Sequence, residues 1–316
     1  MRGPGEESVI CDRFEGVFAA LTTPFAGEGI ALDGFKKNIL RYNTTGLAGY
    51  VVLGSTGEAV FLADDEAEAL TAAVREAAAP GKKIIAGASR EATRSTSAFV
   101  NQLARLGADA ALVKPPHYYK AAMTEDVLKR YFFDVADSAA IPIIVYNIPQ
   151  NTGLPVEPRV IVELARHPNI AGIKDSSGRL SNLVEVIKGV RPDFSFLLGS
   201  GGLFLAGLLL GASGGILAAA AAVPEICVEI YSLFHRGRLV DARKLQIDLV
   251  PFNKALTETL GIPAIKHALD LLGYSGGPPR PPLRPLDESG KARVRELLEA
   301  LGRLPGTGGP AAGWPA

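Results

Sequence analysis

The stretch Ile170-Ala-Gly-Ile-Lys-Asp-Ser-Ser-Gly178 sets a single lysine, Lys174, at the end of a short apolar run and just before a polar turn. Taking an ammonium group out of water costs on the order of several kcal/mol unless it is paired or neutralised, so a lysine in a buried strand needs a reason. One reason is chemistry: a desolvated lysine favours its free amine, which attacks a carbonyl and forms a Schiff base. The other is a side chain that snorkels from a strand end into solvent.

Other polar groups close similar apolar runs. In Gly54-Ser-Thr-Gly-Glu58 two glycines flank two hydroxyls. Glycine lets backbone approach a ligand closely, so the N–H groups of Ser55 and Thr56 suit a small carboxylate; the plainer reading is a glycine turn into a helix. Tyr146 opens Tyr146-Asn-Ile-Pro149, where a phenol can pass protons between amine, substrate and water, or simply pack with its hydroxyl satisfied. Pro115-Pro-His-Tyr-Tyr119 closes another run. The histidines His117, His167, His235 and His267 have no partners at metal-ligand spacing, so no metal is expected. Asp175 is expected to cap its turn rather than act as a base.

Positioning these groups requires regular elements. Nearly continuous apolar runs occur at 16–25, 49–58, 83–89, 110–116, 142–149, 170–177, 194–201 and 214–221, as in strands covered on both faces. Amphipathic stretches lie between them; Leu70, Ala73, Val74 and Ala77 fall at i, i+3, i+4, i+7, Asp65 with Glu68 reads as an acidic capping box, and Asp33 and Thr124 are N-cap candidates. Eight strand–helix units predict an α/β chain, a closed (β/α)8 TIM barrel over 14–223. An open doubly wound sheet is the alternative, disfavoured because no GxGxxG follows the first strand. Beyond Val223 the strand pattern stops, and a helical C-terminal appendage is expected over 224–301, with a flexible N-terminus at 1–13 and a disordered tail at 302–316.

Composition narrows the function classes. Among 316 residues, 33 Lys plus Arg balance 33 Asp plus Glu, so no basic stripe points to nucleic acid and no acidic tail to a charged partner. Cys11 and Cys227 form no CxxC, which fits reduced thiols and a cytoplasmic protein. The N-terminal residues lack an apolar h-region, and the run 203–223 is broken by Gly207, Gly211, Ser213, Gly214 and Gly215, so neither a signal peptide nor a membrane span is expected.

Gly-Ser-Thr-Gly-Glu, Tyr-Asn-Ile-Pro and Gly-Ile-Lys-Asp-Ser-Ser-Gly, in this order and with Thr23-Pro24-Phe25 before them, resemble the dihydrodipicolinate synthase / N-acetylneuraminate lyase family over about 14–301. The resemblance implies a class I lyase or aldolase acting on pyruvate and other 2-oxo acids through a covalent imine, with no dissociable cofactor. It implies Lys174 as nucleophile, Tyr146 as proton shuttle, and Ser55 and Thr56, with Gly54, as the carboxylate grip, Ser55 also relaying protons. It further implies Tyr118 reaching a neighbouring subunit's site, Gly215 and Ile216 as a wall beside pyruvate, and a homotetramer, a dimer of dimers.

One position departs from the synthases. They usually carry arginine at the site entrance where Pro149-Gln-Asn-Thr-Gly153 has Asn151, and a neutral amide cannot make a guanidinium's bidentate carboxylate contact. The same stretch is similar to the Pro-Ala-Asn-Thr-Gly of 4-hydroxy-2-oxoglutarate aldolases, as are His167-Pro-Asn-Ile170, 107–110 and 273–283, although those enzymes often have Asn where this chain has Thr56. The expectation is therefore retro-aldol cleavage of a 4-hydroxy-2-oxo acid to pyruvate and an aldehyde. The alternatives are dihydrodipicolinate synthesis from pyruvate and aspartate semialdehyde, cleavage of a 2-keto-3-deoxy sugar acid, and a non-catalytic barrel that binds 2-oxo acids.

Overall fold

In the computed structural model, residues 13–305 are described. Eight parallel strands close a barrel in sequence order: β1 (Gly16–Ala20), β2 (Gly49–Val52), β3 (Lys83–Gly87), β4 (Ala110–Val113), β5 (Ile143–Asn147), β6 (Ile170–Asp175), β7 (Ser195–Leu198) and β8 (Gly214–Leu217). β8 closes on β1 through the register Gly16↔Gly214 to Ala19↔Leu217. The strands are shorter than their apolar runs because the runs continue into the loops at the barrel mouth; β1 stops at Ala20, and Phe25–Ala26 instead starts a two-stranded ribbon with Gly29–Ile30.

Strand side chains alternate between faces, and the core divides accordingly. Phe18, Val51, Ile85, Leu112, Ile144, Leu197 and Ile216 fill the barrel interior with Tyr146 at the top. Val17, Ala19, Tyr50, Val52, Ile84 and Ala111 face the surrounding helices. Burial on both faces is why the strands read as continuous apolar runs.

The helix with the i, i+3, i+4 pattern spans Asp64–Ala77 and buries Leu70, Ala73 and Val74. It begins before the expected Asp65: Glu66, not Glu68, reaches back to the N–H of Ala63 at 3.0 Å. Thr124 does cap the helix Glu125–Ser138, accepting from the N–H of Val127, whereas Asp33 lies inside the first turn of Leu32–Tyr42. The helix Pro224–His235 packs against β1 and completes the eighth strand–helix unit. The boundary expected at 223/224 thus separates β8 from its own helix, and the helices outside the ring begin at Leu239.

Those helices are Leu239–Lys254, which runs into a π-turn at Ala255–Thr259, then Ile262–Leu271 and Glu288–Ala300. Order runs past both expected terminal boundaries. Arg13 donates to the Ser213 hydroxyl at 3.0 Å, and the last helix ends in a C-cap with Gly302 at φ +66°, where the N–H of Arg303 donates to the carbonyl of Leu298 at 2.8 Å. The rest of the segments expected to be flexible, 1–12 and 306–316, lies outside the described residues. No helix among the described residues is long and apolar enough to cross a membrane.

Candidate active site

Lys174 and Tyr146 are neighbours by strand register: β5 and β6 pair Tyr146↔Lys174 and Asn147↔Asp175. Paired residues of parallel strands share a face, so lysine and tyrosine both point into the barrel while the next pair points out. The Lys174 ammonium lies 4.3 Å from the centre of the Tyr146 ring, and the two residues are 4% and 6% exposed. That burial does not describe a lysine snorkelling into solvent. Among the described residues no carboxylate lies within ion-pair reach of Lys174, so its amine is not committed to a structural bridge.

The outward pair organises the next turn. One Asp175 oxygen accepts from the Asn147 amide at 3.0 Å and the Ser177 N–H at 2.9 Å, the other from the Ser177 hydroxyl at 2.9 Å. Burial raises its pKa above the ordinary carboxylate value, against these hydrogen bonds. Asp175 therefore caps a turn.

After β2 the chain makes a tight turn between two non-glycine residues in the left-handed region, Leu53 at φ +58° and Glu58 at φ +56°. Such conformations cost about 1–3 kcal/mol each and persist only where the surroundings enforce them. Gly87 makes room for the kink, since a Cβ there would meet the Leu53 carbonyl at 1.8 Å. The turn is closed by Gly57 N–H to Gly54 C=O at 3.0 Å and Glu58 N–H to Ser55 C=O at 3.1 Å, and Thr23 anchors it through the Gly57 carbonyl at 2.7 Å. Among the described residues none of these bonds uses the N–H of Ser55 or Thr56, which leaves two adjacent donors for an anion. The Ser55 and Tyr146 hydroxyls are 3.4 Å apart.

Glu58 holds the far end of the turn. Its carboxylate meets the Lys266 ammonium at 2.6 Å, with the two side chains 1% or less exposed, and accepts from the Arg280 N–H at 2.8 Å. Burial pushes the Lys266 pKa down against the pull of Glu58. Lys266 also donates to the Pro278 carbonyl at 2.7 Å. A buried ion pair thus ties the barrel turn to the helix Ile262–Leu271. Sequence reasoning gave this pair no role, although Lys266 is a lone lysine in the apolar run 262–269, the same anomaly that singles out Lys174.

These elements enclose a cavity of about 880 Å³ at the carboxyl ends of the strands, lined by Lys174, Tyr146, Ser55, Thr56, Asn151 and Ile216 together with residues of 256–263 and 283–284. Gly54 instead borders an adjoining cavity of about 360 Å³, with Lys114 and His117. Gly215 is not on the cavity wall; on β8 it alternates with Ile216, and a Cβ there would meet Leu217 and Phe204 on the helix side. Tyr118 is also off this wall, 77% exposed and edge-on to Tyr119. His117 contacts Glu91 at 2.9 Å and His167 contacts Asp137 at 3.0 Å. Among the described residues no three His, Cys, Asp or Glu side chains converge as a metal site would require.

The family model for the dihydrodipicolinate synthetase family matches residues 13–301. The chain belongs to this family. Burial, register and cavity agree with its class: the protein is a Schiff-base-forming lyase of the class I aldolase type, acting on small molecules. A 4-hydroxy-tetrahydrodipicolinate synthase of Methanopyrus kandleri is 36% identical over 297 residues, covering 93% of this chain and 98% of the relative. The crystal structure of a dihydrodipicolinate synthase from Thermotoga maritima superposes with TM-score 0.87 at 30% identity, covering 92% of this chain and 100% of the other. YagE, an Escherichia coli K12 prophage protein of the dihydrodipicolinic acid synthase family solved in complex with pyruvate, superposes with TM-score 0.87 at 29% identity, covering 92% and 99%.

Proposed function

We propose that Lys174 forms an imine with pyruvate and that the protein condenses it with aspartate semialdehyde, as a 4-hydroxy-tetrahydrodipicolinate synthase. The observation that carries the chemistry is the buried Lys174, in register with Tyr146 and opening on a cavity beside two free backbone N–H groups. The names of the relatives carry the choice of reaction and reverse the order expected from Asn151, which put aldol cleavage first.

The Lys174 amine adds to the 2-oxo carbon, and loss of water gives an iminium while the N–H groups of Ser55 and Thr56 hold the carboxylate. The iminium withdraws electrons, so a proton leaves the methyl carbon and the resulting enamine attacks the aldehyde carbon. The Tyr146 hydroxyl delivers a proton to the new alkoxide and is recharged through Ser55, 3.4 Å away. The amino group of the aspartate semialdehyde half then attacks the iminium carbon, closes the ring and expels the Lys174 amine, so the water lost at the start is the net water released. The imine is the electron sink, so these steps call on no metal and no dissociable cofactor.

The protein works as a cytoplasmic homotetramer in which Tyr118, exposed on the single chain, completes the hydroxyl relay of a neighbouring subunit. Asn151 on the cavity wall favours a second reading, retro-aldol cleavage of a 4-hydroxy-2-oxo acid. The deciding experiment gives the purified protein pyruvate plus aspartate semialdehyde in one reaction and 4-hydroxy-2-oxoglutarate in another. Condensation at least about tenfold faster than cleavage is expected; pyruvate release without condensation would overturn the synthase reading and leave the Schiff-base chemistry standing.

A further inference from the structure

The charges around the cavity are few and unevenly committed. Lys174 sits on the buried floor, and Arg284 and Glu258 line the wall supplied by the helices beyond the barrel. The iminium that Lys174 becomes keeps its charge beside the 2-oxo acid's own carboxylate, which also takes the N–H groups of Ser55 and Thr56. Among the described residues, the cation on the wall that the 2-oxo acid half does not engage is then Arg284. Among the described residues it makes no hydrogen bond or ion pair, not even with Glu258. Its neighbour Arg280 differs: its guanidinium is forked on Glu66 through two contacts of 2.6 Å and is further held by the carbonyls of Phe61 and Glu28.

The backbone that carries Arg284 is stiff. Pro281, Pro282 and Pro285 bracket it, and the N–H of Leu283 donates to the Arg280 carbonyl at 3.1 Å. Proline fixes φ, so the guanidinium starts from a settled anchor and loses less freedom on binding. Across the same cavity Asn151 offers only a neutral amide. An uncommitted guanidinium on the wall of a reaction cavity suits a planar anion, which it holds through two parallel charge-assisted hydrogen bonds.

We propose that Arg284 reads a second acid group, the carboxylate on the aldehyde half of the substrate, and makes the enzyme selective for acidic over neutral aldehydes. The inference rests on Lys174 as the imine lysine. It divides the work between two parts of the chain: the barrel holds the 2-oxo acid, and the segment between helices Ile262–Leu271 and Glu288–Ala300 selects its partner. Arg284 is a substrate-binding residue and takes no part in proton transfer.

The test uses the full-length protein and its Arg284→Ala and Arg284→Lys variants. Each is given pyruvate with aspartate semialdehyde or glyoxylate, and separately with acetaldehyde. Borohydride trapping of pyruvate is measured alongside. The expected result is an acid-over-neutral ratio of kcat/KM that falls about 10- to 100-fold in Arg284→Ala, the range for losing hydrogen bonds to a charged group. Arg284→Lys should recover part of the ratio, while pyruvate KM and trapping stay unchanged. Because Arg284 is exposed and unpaired, a folding failure is not expected; unchanged trapping verifies that. A ratio within twofold of the parent in Arg284→Ala overturns the proposal, as does a parent that traps pyruvate without preferring acidic aldehydes. A parent that fails to trap pyruvate overturns the Schiff-base reading itself, and the role of Arg284 with it.

Discussion

At the scale of single residues, the proposed chemistry rests on what surrounds Lys174 and Tyr146. Lys174 was legible in the sequence as a chemical anomaly, a cation in an apolar run; Tyr146 read equally as a packing residue, and its proton-shuttle role came from the family resemblance. Their contact was not legible, because it depends on register: Tyr146↔Lys174 follows from how β5 and β6 align, and no local pattern reports that alignment. The same alternation explains why Ile216 reaches the cavity while Gly215 faces Phe204. Tyr146→Phe keeps the ring that packs on Lys174 and removes only the hydroxyl 3.4 Å from Ser55. Its pyruvate adduct should form and trap as in the parent, while turnover falls by about 10²- to 10⁴-fold, the usual worth of a positioned general acid. Turnover within a few-fold of the parent in steady-state assays would remove Tyr146 from the proton path.

At the scale of elements, the turn after β2, proposed to grip the carboxylate, is held from outside the barrel. Its left-handed residues Leu53 and Glu58 are enforced by Gly87 beneath one end and by Lys266 and Arg280 at the other. The sequence displayed the glycines of the turn but not its anchor, since Glu58 and Lys266 are far apart along the chain. Lys266→Met would leave the Glu58 carboxylate buried without its cation, which typically costs about 3–5 kcal/mol. We expect a lower midpoint in urea unfolding and, because the turn relaxes, a raised KM for pyruvate with a smaller change in kcat. Adding Glu58→Gln removes the orphaned charge and should return part of the stability. A single variant as stable as the parent, with unchanged KM, would show that the pair does not set the turn.

At the scale of the whole molecule, the strand–helix alternation was the most legible feature, because eight strands buried on both faces leave eight apolar runs. The boundaries were less so. The helix Pro224–His235 belongs to the ring by its contact with β1, a long-range fact that composition does not carry, and the last helix ends in a glycine C-cap rather than fraying at Gly302. The place of Arg284 was invisible for the same reason: it stands in a proline-rich link that reads as a spacer, and only the fold brings it to the cavity of Lys174. The proposed assembly has its own test. With a chain of 33.2 kDa, a tetramer should scatter light with four times that mass at micromolar concentration. Tyr118→Phe should lower kcat without changing that mass; a monomeric parent with full activity would exclude a relay shared between subunits.

The proposed reaction depends above all on the Lys174 amine as nucleophile. Incubating the protein with pyruvate, reducing with borohydride and mapping the modified peptide by mass spectrometry tests it most directly. One stable adduct is expected, on Lys174, and none on Lys114 or Lys266, with adduct formation lost in Lys174→Ala. An adduct on another lysine, or undiminished trapping in Lys174→Ala, would contradict that role.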